Sequence, residues 1–67
     1  MTPVDEAVAA MVTCLDESLV ELWRERASVR EHDGGLSRDL AEALALLDVI
    51  RVHPKETLAA FMGPPAT

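Results

Sequence analysis

The chain has 67 residues, one Cys, two His, twelve Asp and Glu against six Lys and Arg, and a net charge of −6. That length holds one domain, and the cysteine count excludes an internal disulfide, while two His and one Cys without ligand spacing argue against a structural zinc site. A chain this short buries only about 60% of the surface that it exposes when unfolded, which leaves regular helix packing or a partner chain to stabilise it.

Ala and Leu dominate, Tyr is absent, and Phe and Trp occur once each. That usage favours helix over strand, and 49% hydrophobic content is too high for a disordered chain. Apolar runs are too short for a membrane span, and the first residues lack the basic and apolar regions of a secretory signal. A lone Cys suits a reducing compartment, so the expected location is the cytoplasm.

The first helix is expected from about residue 3 to 31. Thr2 is its candidate cap, Pro3 suits the first turn, and Asp5 and Glu6 favour the positive end of the dipole. Val4, Val8, Met11, Leu15, Leu19, Leu22 and Val29 fall on one stripe, with Val12 on its edge. Such a helix would be roughly 43 Å long. Cys14 lies beside the stripe and reads as a buried structural cysteine, since no neighbouring base activates it. Glu6, Asp16, Glu17, Glu21 and Glu25 fall outside the stripe, Val20 falls on their side, and Trp23 lies at the margin between the two. Arg26 projects on the stripe and Arg30 at its edge, where their stems cover apolar surface and their heads reach solvent or an acid such as Asp39.

Gly34 and Gly35 stop this helix, and Ser37 caps the next, expected over 38–52 with Asp39 in its first turn. This second helix is apolar on two sides. Leu40, Leu44 and Leu47 form one seam, which the first helix is expected to cover. Ala43, Leu46, Val49 and Ile50 form another, left for the third helix or a second chain. His53-Pro54 breaks the helix, and a third follows over 54–62 until Gly63-Pro64-Pro65 ends it. Residues 1–63 thus make one helical domain with a mobile tail at 64–67. The expected fold is all-α: a long N-terminal helix against two shorter ones, as a three-helix bundle or a helical hairpin plus a short helix.

The sequence marks no catalytic constellation. Neither His has a nucleophile and orienting carboxylate in view, and Asp16-Glu17 are adjacent and so diverge on a helix. Gly34-Gly35 is a helix connector, without the pattern of a phosphate loop. The expectation is a protein that is not an enzyme and needs no cofactor or metal.

Charge is placed unevenly. Residues 1–23 sum to −5, 24–30 to +2, 31–50 to −4 and 51–67 to +1. Direct binding of nucleic acid needs a cationic face, which this distribution does not offer. The acids either form a solvated face that aids solubility or suit a basic protein partner, and a partner that normally holds nucleic acid would meet a partial imitation of phosphates. The charge density is lower than the one per about 1.7 Å of a DNA duplex. Candidate contacts are Asp16, Glu17, Glu21 and Glu25, with Trp23 either an apolar anchor for the partner or a core residue under a later helix. Leu46, Val49 and Ile50 are the candidate seam for dimerisation or docking, which leaves the chain a monomer or a homodimer.

The stretch Arg24–Ala45, RERASVREHDGGLSRDLAEALA, resembles a helical hairpin segment of phage- and plasmid-encoded proteins. Its Glu-Arg-Ala run, Asp-Gly-Gly-Leu turn and Ser-Arg helix start carry the likeness. At the level of class, a short, acidic, all-helical chain resembles the inhibitors of host defence carried by mobile elements, the anti-CRISPR proteins among them. The resemblance implies an inhibitor that blocks the nucleic-acid site of a host complex. It assigns no individual residue.

Overall fold

A computed structural model describes residues 3–62, with side chains from Asp5 onward. Four α-helices follow in order: α1 (Pro3–Val12), α2 (Glu17–His32), α3 (Arg38–Val52) and α4 (Pro54–Met62). No strand occurs among the described residues. The all-α expectation is met. Thr2, the side chain of Val4 and the expected tail lie outside the described residues.

The single long first helix is corrected to two helices. The chain leaves helical geometry at Thr13–Asp16 because local bonds compete for the end of α1. Thr13 Oγ1 donates to the Ala10 carbonyl at 2.7 Å, and the Cys14 and Leu15 amides fall back to i−3 acceptors, Met11 and Val12. Asp16 then restarts the helix. Its carboxylate accepts from the Leu19 amide at 2.9 Å and from the Ser18 hydroxyl at 2.8 Å, a helix N-cap. Cys14 sits in this joint and is exposed, which corrects its expected burial.

The α2–α3 turn matches its sequence more closely. Gly35 takes φ 65, the left-handed region, in agreement with the glycine stop. At Gly34 a Cβ would stand 2.6 Å from the Arg30 carbonyl oxygen, so only glycine fits that close approach. Ser37 caps α3 by accepting from the Leu40 amide at 3.3 Å. His53 ends α3 with its amide on the Val49 carbonyl. Thr57 is fully buried behind this junction, its hydroxyl on the His53 and Pro54 carbonyls at 2.8 and 3.2 Å.

The core is one cluster: Val8 and Val12 of α1, Leu15 of the joint, Leu19 of α2, and Leu46 and Val49 of α3. Each such side chain contributes about 2 kcal/mol by leaving water. Met11, Val20, Trp23, Ile50 and Phe61 lean on it from the periphery. Val20 is thus half-buried, away from the acidic side on which the helical projection put it. Helices α2 and α3 share the most extensive contact, with α1 and α4 both packed on α3. Ala27, Ala41 and Ala45 are buried, and their small side chains allow the close approach.

The two seams of α3 exchange roles. Leu46 and Val49 are 4% and 0% exposed, covered within the chain, so they are not a free docking seam; Ile50 is half-buried beside them. Leu40 and Leu47, expected under the first helix, are 48% and 59% exposed. At the break of 13–16 α1 folds back onto α3, and Val8, Val12, Leu15 and Leu19 bury Leu46 and Val49. Two short helices meet α3 on the Leu46–Val49 side, and neither continues across Leu40 and Leu47.

Candidate acidic interface

Helix α2 forms because its apolar positions, Leu19, Leu22, Trp23 and Ala27, recur on one side and leave charge for the other. Glu17, Glu21 and Glu25 follow at i, i+4 and i+8 on the outward face and are all exposed. The rise of the helix spaces them about 6 Å apart. Arg24 shares this side and approaches Glu21 at 3.9 Å, a loose surface pair.

Asp16 is exposed at the N-terminal end of α2 but already has a task. The bond from the Leu19 amide, seconded by the Ser18 hydroxyl, holds its carboxyl below the ordinary carboxylate range. A charge change there tests the helix cap before it tests binding.

Trp23 is half-buried, and its indole Nε1–H donates to the Glu42 carbonyl at 3.0 Å. It therefore pins α2 to α3, with one ring edge satisfied inside the molecule. A shallow groove beside it is lined by Arg24, Ser28, Glu31, Arg38 and Glu42.

Arg26 and Arg30 do find an acid, and it is Asp48 in place of Asp39. Arg30 donates from Nε at 2.7 Å and from Nη2 at 2.8 Å to the two Asp48 oxygens, a forked pair. Arg26 Nε stands 3.5 Å from the same carboxylate. Asp48 is only 8% exposed. The Arg30 guanidinium lowers the Asp48 carboxyl, against the opposing pull of burial. A signal for this was present: Asp48 continues the spacing of Ala41 and Ala45, the close-packed side of α3.

Asp5, Asp39 and Glu42 bring carboxylate oxygens within 4.8 Å of one another between α1 and α3. A hydrogen bond shared with Asp5, together with burial and the charges of Asp5 and Glu42, raises the Asp39 carboxyl. Oxygens in such a set suit a hard cation, but acidic convergence alone does not define a metal centre. At the α3–α4 junction His53 Nδ1 stands 3.8 Å from a Glu56 carboxylate oxygen, while the neighbouring Thr57 hydroxyl is held by the His53 and Pro54 carbonyls. No helix among the described residues is long and apolar enough to cross a membrane.

The chain was compared with protein-family models, with curated proteins and with solved structures, and nothing matches in any of the three.

Proposed function

We propose that this chain is a non-enzymatic, protein-binding inhibitor of the anti-CRISPR kind, acting in the cytoplasm of a host cell. It would lay the outward face of α2 against a basic nucleic-acid site of a defence complex and keep target DNA out. One observation carries this reading: Glu17, Glu21 and Glu25 stand in register on an exposed face and belong to no bond that holds the fold. Acids at about 6 Å intervals are sparser than duplex phosphates, so shape and steering have to supply the rest.

The direct test is competition for target DNA on a purified RNA-guided effector complex, read by gel shift at low and high salt. Wild type is expected to displace DNA at low salt. Glu17→Lys, Glu21→Lys and Glu25→Lys together should cost about tenfold or more in competition, because like charges then face the basic site. A triple variant that folds by circular dichroism and competes as well as wild type overturns the reading. Asp16 is left unchanged so that the cap of α2 survives.

A second reading is a small assembly or regulatory module, such as an antitoxin, docking domain or accessory subunit. The exposure of Leu40 and Leu47 favours it. Its docking seam then moves from Leu46 and Val49 to the opposite side of α3.

A further inference from the structure

Leu40, Leu44 and Leu47 fall within about 60° of one another around α3, opposite the buried Val49. Leu40 and Leu47 are exposed and Leu44 is half-buried. Arg51 is the one charged residue in the same arc. Single exposed leucines are ordinary, but a leucine stripe along the outward side of a helix marks a place where something docks.

We infer that a second copy of this chain docks there, α3 against α3 and antiparallel, about a two-fold axis passing between residues 43 and 44. The stripe is self-complementary in that order. Leu40 comes level with Leu47 of the partner subunit, and the pair occurs twice, as a two-fold interface requires. Leu44 meets Leu44 of the partner subunit across the axis.

Charge selects the same orientation. The end where α3 begins carries exposed Asp33, Arg38 and Asp39, net −1, and the end where it finishes carries exposed Arg51, Lys55 and Glu56, net +1. Neither Arg51 nor Lys55 joins an ion pair among the described residues. Antiparallel docking brings the basic end of each copy to the acidic end of the other, whereas parallel docking sets like against like. The stripe is short beside the roughly 800 Å² per partner of a standard interface, so the dimer is weak and its population follows concentration.

Sedimentation velocity on the full chain, from micromolar to millimolar concentration, reads this directly. The mass should climb from the 7.3 kDa monomer toward a dimer. Leu47→Glu should hold it at the monomer with an unchanged helical spectrum, while Leu58→Glu, on the exposed side of α4, leaves dimerisation intact. Cysteine pairs read the orientation in a Cys14→Ser background. Leu44→Cys should give a disulfide-linked dimer on mild oxidation. Leu47→Cys should not, since its two copies would lie about 10 Å apart along the axis, beyond disulfide reach. A monomer at every concentration, dimerisation by Leu47→Glu equal to wild type, or crosslinking at residue 47 as readily as at 44 each overturns the inference.

Discussion

Asp48 accepts two hydrogen bonds from Arg30 and lies close to Arg26, while it is almost closed off from solvent. Removing its charge leaves two guanidinium heads facing a neutral group that satisfies them poorly. Asp48→Asn is therefore expected to cost about 2 kcal/mol at pH 7, below the full penalty of a buried broken pair because Arg30 retains contact with water. Its pH dependence has a definite sign. The folded carboxyl lies below the ordinary 3.8, so the contribution is complete above the unfolded value and fades as pH falls through the lowered one. Urea unfolding at pH 7 and near pH 3 should show the gap between wild type and variant closing in acid. A gap that is equal at both would mean that Asp48 contributes shape and no charge.

At the level of elements, the bounds of α3 and α4 were legible because punctuation and periodicity agree there: Ser37 starts one helix, and Pro54 ends it and starts the next. The break after α1 was not, because the apolar stripe stays in phase through Val8, Met11, Leu15 and Leu19 and masks the stop. Its signal was the Asp16-Glu17 pair, an N-cap followed by an acid in the first turn. That one miss propagated. The expected first helix was to cover Leu40 and Leu47, whereas the two helices that meet at the joint bury Leu46 and Val49. The reassignment predicts unequal costs for neighbouring leucines. Leu46→Ala should lose about 3 kcal/mol, a transfer term plus a cavity. Leu47→Ala should lose less than about 0.5 kcal/mol in dilute solution, where the monomer dominates. Urea midpoints of the two variants decide the matter, and equal losses would contradict the seam described here.

For the whole molecule, the acidic and apolar surfaces lie on different helices: the carboxylates of α2 on one, the leucines of α3 on the other. The acidic face was legible because Glu17, Glu21 and Glu25 share one helical spacing whether or not the first helix is continuous. The roles of Asp16, Trp23 and Asp48 within the fold were not, since a cap, an indole bond and an ion pair between helices depend on tertiary neighbours. The same carboxylates set how the molecule answers acid. Asp16 and Asp48 have lowered values, so their support is present at neutral pH and is lost as pH falls. Asp39 has the opposite sign. Asp5 and Glu42 face it from α1 and α3 and raise it above 3.8, so its environment favours the protonated form, and the folded state loses stability as pH rises through the raised value. The two effects oppose each other. Asp39→Asn removes only the second effect. Relative to wild type, its melting temperature should rise as pH goes from about 4 toward 6, and its own decline in acid should be steeper. Thermal melts across that range measure the difference. If it stays flat, the carboxylates of Asp5 and Asp39 do not oppose each other across the α1–α3 contact.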